Sequence, residues 1–219
     1  MQSSEILIDK YLDAFLEANQ AINLTNITDR EQASLLHVED SLAALDEVMA
    51  APEGRYGDLG SGGGFPGVPI AISTGRQSVL IDSVKKKMRV VQEIVESLEL
   101  QNQIETYDGR IEELAQQEPG SFAVLTARAL SLMPSLVELA SPLLIQGGVL
   151  VCYKAHVSEE EMTSALQAAH QVGMSHLSSR SFLLSDGQTK RTIVTFRKDG
   201  NPMMKLPRRI GMAQKKPLG

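Results

Sequence analysis

The stretch YGDLGSGGGFPGVPIAI, residues 56–72, decides the predicted fold of this 219-residue chain. A short apolar segment ends at Leu59, three glycines occupy positions 62–64, and a second apolar run begins after Pro66. Glycine lets the backbone approach a ligand closely, and open α/β sheets bind ligands beyond the carboxyl ends of their strands. The stretch therefore predicts the first strand–loop–helix crossover of such a sheet, with either a bound ligand or an ordinary tight turn at the loop.

Short apolar segments alternate with longer amphipathic ones after this loop. Those with a strand pattern are 79–82, 103–107, 122–127, 148–154, 181–184 and 191–197. Strands separated by helices predict a parallel sheet with helices on both faces. The polar turn between the last two segments predicts an antiparallel pair that ends the sheet. The fold class is therefore α/β, with seven strands.

The first fifty residues show a helical pattern instead. Apolar residues recur there at helical spacing, and Thr28–Glu31 matches a capping box, as Ser158–Glu161 does later in the chain. We expect one domain over residues 1–219, made of a helical extension at 1–50, an α/β core at 51–198 and a basic tail at 199–219.

Two ligand-binding patterns overlap in the glycine loop. Gly62, Gly64 and Gly67 satisfy the dinucleotide pattern G-x-G-x-x-G, which is weak on its own. The pattern D-x-G-x-G-x-G, typical of S-adenosylmethionine-dependent methyltransferases, is present as well. Its residues are Asp58, Gly60, Gly62 and Gly64.

Two features favour S-adenosylmethionine over a dinucleotide. A carboxylate at Asp58 would repel a pyrophosphate but suits the cationic end of an aminoacyl ligand. Pro66 offers no N–H group at the helix start, where a dinucleotide site binds its anion. Asp82, at the end of the second strand, can accept both hydroxyl groups of a ribose, and this fits NAD equally well.

Composition excludes several classes of protein. No apolar stretch approaches the roughly 18 residues that cross a membrane, and the acidic N-terminal segment does not resemble a signal peptide. The single cysteine, Cys152, excludes an internal disulfide framework, and we expect it to be a small buried apolar residue. The four histidines have no metal-ligand spacing, so we expect no metal. These features predict a cytoplasmic protein without a membrane partner.

Charge is unevenly distributed along the chain. The net charge is −6, but residues 197–219 carry seven basic residues against the single acid Asp199, which leaves the rest of the chain at −12. An acidic body with a basic tail indicates either a polyanionic partner or a solvated tail.

Several segments together resemble one family. The motif segments are NQAINLT (19–25), HVEDSLAAL (37–45), the glycine loop with its GFPG continuation, GRIEEL (109–114), LTARAL (125–130), YKA (153–155) and LPRRIGMAQKKPLG (206–219). The chain resembles, nearly end to end, the ribosomal RNA small subunit methyltransferase G family, also called glucose-inhibited division protein B. Ile111 and Glu39 depart from the family's commoner residues.

The resemblance implies a Rossmann-like class I methyltransferase fold, S-adenosylmethionine as cofactor, and methylation of guanine N7 in 16S rRNA. The substrate would be the small ribosomal subunit or an assembly intermediate, and we expect a monomer. Implied cofactor contacts are Gly60, Phe65, Asp82, Ile111, Glu112 and Arg128, beside the loop residues Asp58, Gly62 and Gly64. The tail residues Arg208, Arg209, Lys215 and Lys216 are the expected RNA contacts.

Methylation at this nitrogen makes a modest chemical demand. Guanine N7 has an in-plane lone pair and no proton to lose, so orientation matters more than a general base. Arg128 and Lys154, expected at neighbouring strand ends, would hold guanine O6 or flanking phosphates without acting as bases. The alternatives are an NAD-dependent oxidoreductase and a non-catalytic ribosome-assembly factor with the same fold.

Overall fold

Seven strands form one sheet in the computed structural model, which describes residues 3–219. The strands are β1 (Tyr56–Leu59), β2 (Ser78–Ile81), β3 (Ile104–Tyr107), β4 (Phe122–Arg128), β5 (Leu144–Lys154), β6 (Met174–Leu183) and β7 (Lys190–Lys198). Their order is β3-β2-β1-β4-β5-β7-β6, and only β7 runs antiparallel to its neighbours. The predicted mostly parallel seven-stranded sheet with an antiparallel last strand is confirmed.

Helices cover both faces of the sheet. They are α1 (Ser4–Ile22), α2 (Arg30–Ala33), α3 (Asp40–Leu42), α4 (Leu45–Ala50), α5 (Gly67–Thr74), α6 (Lys85–Ser97), α7 (Ile111–Gln117), α8 (Met133–Ala140), α9 (Glu159–Gln171) and α10 (Met212–Lys215). A π-helical segment, Ser34–Glu39, joins α2 to α3. No helix within residues 3–219 combines the length and the apolar character needed to span a bilayer.

Strand residues alternate between two hydrophobic cores. Leu80 and Val124 face the core made with α1, α5 and α6, whereas Ile81 and Leu125 face the core made with α7, α8 and α9. This period of two is what a strand covered on both faces requires. Cys152 is buried in the second core, as predicted.

The strand order reverses at β1, which lies between β2 and β4. Leu59 pairs with Ile81 of β2 and with Ala127 of β4, and Arg128 pairs with Tyr153 of β5. The carboxyl ends of these four strands therefore meet at one edge. Ligands of doubly wound sheets bind at such a topological switch point.

The N-terminal helices pack directly on the sheet's first crossover. Tyr11 and Phe15 of α1 are fully buried in the same core as α5 and α6. One predicted boundary is wrong: Asp29, not Thr28, caps α2 by accepting a hydrogen bond from the N–H of Gln32 at 2.8 Å. Residues 1–2 of the predicted extension lie outside the described residues.

Several other boundaries differ from the sequence prediction. β6 starts at Met174, not at residue 181, because its Ser-rich first half is exposed on the sheet edge and carries no alternating apolar signal. The Ser158 hydroxyl accepts from the N–H of Glu161 as predicted, but the Glu161 carboxylate turns away to bind the N–H of Met133. The tail folds back onto α8, where Ser135 donates to the carbonyl of Ala213 at 2.8 Å.

Candidate functional site

A first cavity, named here the β1–β2 cavity, lies beyond the carboxyl ends of β1, β2 and β3. Its lining includes Gly60, Asp82, Ile111, Glu112, Leu130 and Gln214. Four of the predicted cofactor residues are therefore brought together, although Gly60 and Glu112 lie 52 positions apart in the chain. The lining combines the backbone of Gly60, the carboxylates of Asp82 and Glu112, and apolar side chains.

The glycine loop is shaped by its own hydrogen bonds. Gly60 and Gly62 adopt left-handed φ angles of 72° and 58°, which favour glycine. The N–H of Gly62 donates to Asp82 Oδ2 at 2.9 Å, and the N–H of Val84 donates to Asp82 Oδ1 at 2.8 Å. Asp82 thus links the glycine loop to the end of β2 while still lining the cavity.

Asp58 differs from the prediction. Its side chain is fully buried; Oδ1 accepts from the hydroxyl of Thr126 at 2.7 Å and Oδ2 from the N–H of Gly67 at 3.0 Å. Burial raises the pKa of this carboxyl group. Asp58 fastens β1 to β4 and to the start of α5, and it does not line the β1–β2 cavity.

Gly64 and Phe65 also differ from the prediction, because both contact the N-terminal helix. A Cβ atom at Gly64 would overlap the Tyr11 hydroxyl. Phe65 is buried, stacks on His37 with ring centroids 4.9 Å apart, and meets Phe15 edge to face. Neither residue lines the β1–β2 cavity.

The far wall of this cavity comes from segments on which sequence analysis placed no cofactor contact. A Cβ atom at Gly60 would lie 2.7 Å from Leu130 Cδ1, so the Leu130 side chain covers the loop. The tail reaches the same wall: the N–H of Gly211 donates to Glu112 Oε1 at 2.7 Å, and Gln214 lines the cavity. With Leu130 in this position the cavity measures about 60 Å³.

A second cavity of about 410 Å³, the β4–β5 cavity, lies beyond the ends of β4 and β5. Its lining includes His37, Asp40, Arg128, Tyr153, Lys154 and Arg191. The turn that follows β4 separates the two cavities, since Ala129 lines this one and Leu130 lines the other. Two neighbouring sites, one on each side of a single turn, suit a reaction between two bound molecules.

Arg128, predicted both as a catalytic residue and as a cofactor contact, lines the second cavity and not the first. Its Nη1 donates to Asp40 Oδ2 at 2.9 Å and to the carbonyl of Leu36 at 2.8 Å. Asp40 is 3% exposed and also accepts from Arg191 Nε at 2.9 Å. One buried carboxylate therefore holds two guanidinium groups, which leaves this cluster with a net positive charge.

Lys154 lies at the adjacent strand end, as predicted. Its Nζ is 2.7 Å from Glu161 Oε1, and both side chains are mostly buried. Glu161 is fixed in turn by the N–H of Met133. The two predicted cations thus line one cavity, each already paired with a carboxylate of another element.

His37 is the neutral polar group of the β4–β5 cavity. Burial and the nearby charge of Arg128 lower the pKa of His37 to about 4, although Asp40 acts in the opposite direction. The imidazole is therefore uncharged at neutral pH. Asp40 binds Arg128 and Arg191 and not His37, whose ring packs on Phe65 instead.

The basic tail divides into anchored and exposed residues. Arg208 forms two hydrogen bonds with the buried carboxylate of Glu138, at 2.6 and 2.5 Å. This pairing differs from its predicted role as an RNA contact. Arg209, Lys215 and Lys216 are exposed, as a surface that binds phosphates requires.

Sequence reasoning missed the lining residues Leu130, Gln214, Tyr153 and Arg191. Tyr153 lies in the YKA motif and Leu130 in the LTARAL motif, so proximity to Lys154 and Arg128 was an available signal. Arg191 lies on the antiparallel strand β7 and Gln214 in the tail. Nothing local in the sequence indicates that these two reach the carboxyl edge of the sheet.

Comparisons with known proteins agree with this geometry. The model of a family described as rRNA small subunit methyltransferase G matches residues 5–193. The chain is 33% identical to Ribosomal RNA small subunit methyltransferase G of Bacillus subtilis (strain 168), covering 95% of this chain and 88% of that protein. It is 36% identical to the protein of the same name from Deinococcus radiodurans, covering 91% and 80% of the two chains.

Solved structures share the fold at low identity. An O-methyltransferase from Bacillus cereus in complex with SAH superimposes with a TM-score of 0.61 at 18% identity, covering 86% of this chain and 90% of that one. Cofactor-bound Rv0187 from MTB gives a TM-score of 0.61 at 17% identity, covering 87% and 90%. The fold is therefore shared with an O-methyltransferase in complex with SAH and with a second cofactor-bound protein.

Proposed function

The chain belongs to the rRNA small subunit methyltransferase G family, and we propose that it transfers a methyl group from S-adenosylmethionine to N7 of a guanine in 16S rRNA. The observation that carries the proposal is the pair of cavities on either side of the turn after β4. The family supports neither an NAD-dependent oxidoreductase nor a non-catalytic assembly factor.

The β1–β2 cavity has the chemistry that the cofactor needs. When bound, S-adenosylmethionine supplies an electrophilic methyl group. Asp82 can accept from ribose hydroxyls, and Ile111 offers an apolar surface to the adenine ring beside Glu112. Asp58 supports this site indirectly, by fixing Gly67 and Thr126 around the glycine loop.

Leu130 must shift before a whole cofactor fits. Pockets for small molecules typically hold about 300–1,000 Å³, and the β1–β2 cavity is smaller because Leu130 covers Gly60. Leu130 is only partly buried, so its rotamer can change, and we propose that this change enlarges the β1–β2 cavity. We expect this movement to accompany cofactor binding.

The β4–β5 cavity receives the guanine. Its residues have no proton to remove, because N7 attacks through a lone pair. Arg128 and Lys154 orient the base, and their pairing with Asp40 and Glu161 holds each cation in place before the base arrives. Fixing two reactants in one orientation contributes roughly 7–11 kcal/mol to catalysis in favourable cases.

The substrate is rRNA, and we place the target in the small subunit or an assembly intermediate. The exposed cations Arg209, Lys215 and Lys216 supply phosphate contacts, whereas the acidic body disfavours free RNA. The target base must leave its stack to enter the β4–β5 cavity. We further propose that the protein acts as a monomer in the cytoplasm.

One experiment tests the function directly. Purified protein is incubated with tritiated S-adenosylmethionine and with small subunits from a strain that lacks the enzyme, and chain cleavage at N7-methylguanosine maps the product. We expect label at one guanine of 16S rRNA. Label on adenine N6 or on protein would exclude the proposal, and equal methylation of naked rRNA at low magnesium would exclude the assembled subunit as substrate.

A further inference from the structure

The basic tail contributes a polar side chain to the β1–β2 cavity. Gln214 lies in the short helix α10, lines this cavity and is exposed, so a ligand in the cavity can reach it. The other tail residues with polar side chains, such as Lys215 and Lys216, do not line the cavity. The wall that the tail adds to the cavity therefore carries an accessible amide.

The backbone that leads to Gln214 is fixed by hydrogen bonds. The N–H of Gly211 donates to Glu112 Oε1 at 2.7 Å, and the carbonyl of Ala213 accepts from the Ser135 hydroxyl at 2.8 Å. Ala213 is 2% exposed and belongs to the second core. Within residues 3–219 the Gln214 amide itself takes part in none of these anchoring bonds. Gln214 is thus held at the cavity with its amide free for a ligand.

The same contacts place Gln214 beside Glu112. The N–H of Lys215 donates to the carbonyl of Gly211 at 3.0 Å, which closes one helical turn over these residues. Residues three apart lie on one side of such a turn, so Gln214 follows Gly211 onto the side that meets Glu112. The proposed function puts the adenine ring of the cofactor beside Ile111 and Glu112. Gln214 therefore lies at the adenine end of the cavity.

Adenine needs a partner that both accepts and donates. The 6-amino group is a donor, and the ring nitrogens beside it are acceptors. The carboxylates of Asp82 and Glu112 can only accept, whereas a glutamine amide offers a carbonyl oxygen and an N–H group side by side. Glutamine pairs with adenine through two hydrogen bonds of this kind in nucleic-acid recognition.

We propose that Gln214 is a cofactor-binding residue, whose amide accepts from the 6-amino group of adenine and donates to a ring nitrogen beside it. The inference deepens the proposed function and rests on its cofactor, S-adenosylmethionine. The tail then binds the cofactor through Gln214, directly before the exposed cations Lys215 and Lys216.

Binding measurements on two variants and two ligands test the contact. Methionine keeps the length of the side chain without its hydrogen bonds, and glutamate keeps an acceptor but cannot donate. By calorimetry, we expect Gln214→Met and Gln214→Glu to raise the dissociation constant for S-adenosylhomocysteine roughly 5- to 50-fold. Turnover at saturating S-adenosylmethionine should stay within about 2-fold of wild type, because the reacting groups are unchanged.

A ligand change identifies the part of the cofactor that Gln214 contacts. The second ligand is the purine riboside analogue of S-adenosylhomocysteine, in which hydrogen replaces the 6-amino group. We expect wild type to bind this analogue roughly 5- to 50-fold more weakly than S-adenosylhomocysteine, and we expect that ratio to be at least about 3-fold smaller in Gln214→Met. The exposed Gln116 of α7 does not line the cavity, so Gln116→Met is the matched control and should behave as wild type.

The outcomes separate this inference from the proposed function. An unchanged dissociation constant in Gln214→Met, or the same ligand ratio in wild type and Gln214→Met, would overturn the role of Gln214 while methylation of guanine N7 stands. Thermal melts check that the variants fold, as the exposure of Gln214 predicts. If wild type binds S-adenosylhomocysteine but methylates no guanine N7, the proposed function fails and the assignment of Gln214 stands. If wild type does not bind S-adenosylhomocysteine, both fail.

Discussion

Asp40 organises the cationic side of the β4–β5 cavity. It is the shared partner of Arg128 and Arg191, and it lies 88 and 151 positions away from them in the chain. Removing one member of a buried ion cluster leaves the remaining charges without compensation, which costs more than the cluster contributes as a whole. The residue that fixes Arg128 is therefore as important to the site as Arg128 itself.

We expect Asp40→Asn to reduce both stability and turnover. Asparagine keeps the shape but leaves two partly buried guanidinium groups without an anion, so unfolding should cost about 2–4 kcal/mol less, with allowance for their partial exposure. Urea unfolding measures the loss, and methyl transfer at saturating cofactor measures turnover. The exposed Asp46 gives the control Asp46→Asn, and equal behaviour of the two variants would contradict this role for Asp40.

His37 should make the folded state sensitive to mild acid. Burial and Arg128 lower its pKa from 6.5 to about 4, so below 6.5 the unfolded chain binds a proton that the folded protein refuses. The stability that depends on a neutral His37 is fully present above pH 6.5 and is lost as the pH falls towards 4. Between about pH 7 and about pH 4.5, wild type should lose about 2 kcal/mol more stability than His37→Gln, measured by urea unfolding at each pH. Parallel losses would show that His37 titrates normally.

At the scale of elements, the glycine loop serves two neighbours. Gly60 and Gly62 shape the side next to the β1–β2 cavity, whereas Gly63 and Gly64 make room for α1: a Cβ atom at Gly63 would lie 2.3 Å from Phe15 Cε2. The loop's sequence predicted its place at the first crossover but not that two of its glycines pack against α1. The contact with α1 involves residues some fifty positions earlier in the chain.

Distance along the chain also explains which other features could be predicted from the sequence. Strand positions, the order of helices and strands, and the residues at strand ends follow from local patterns, which is how Gly60 and Asp82 were predicted, whereas Ile111 was predicted only from the family resemblance. The partners of Asp58 and Arg208, which are Thr126 and Glu138, lie 68 and 70 positions away in the chain. No local pattern reveals that these charged side chains form hydrogen bonds with residues distant in the chain and are therefore not free to bind a ligand.

We expect Gly63→Ala to destabilise the protein through Phe15. The methyl group enters a filled space, and overpacking of this kind costs about 1–3 kcal/mol. Phe15→Leu in the same chain should recover part of that loss, which gives a coupling energy of about 1 kcal/mol in a double-mutant cycle of urea unfolding. Gly200→Ala is the control, because a Cβ atom there meets no atom within 4 Å. Additive losses would contradict the contact.

At the scale of the whole molecule, the tail lies beside the β1–β2 cavity and presents basic side chains to solvent. Its inner side is anchored by Arg208 on Glu138 and by Gly211 on Glu112, which lines the β1–β2 cavity. Its outer side presents Arg209, Lys215 and Lys216. A basic segment anchored on an acidic body limits how the protein can approach RNA, because this surface is attracted to phosphate whereas the acidic surfaces are repelled.

Salt dependence should separate the two sides of the tail. Each phosphate contact releases counterions, so removing one lowers the slope of log K against log salt concentration by about 0.7–1. We expect that decrease for Lys215→Ala and for Arg209→Ala when binding to small subunits is titrated over a range of salt. Arg208→Ala should leave the slope unchanged and instead destabilise the fold by about 2–4 kcal/mol, because it strands the buried carboxylate of Glu138. A decrease in slope for Arg208→Ala, with stability unchanged, would show that Arg208 contacts phosphate. That result would contradict the assignment of Arg208 to the anchored side of the tail.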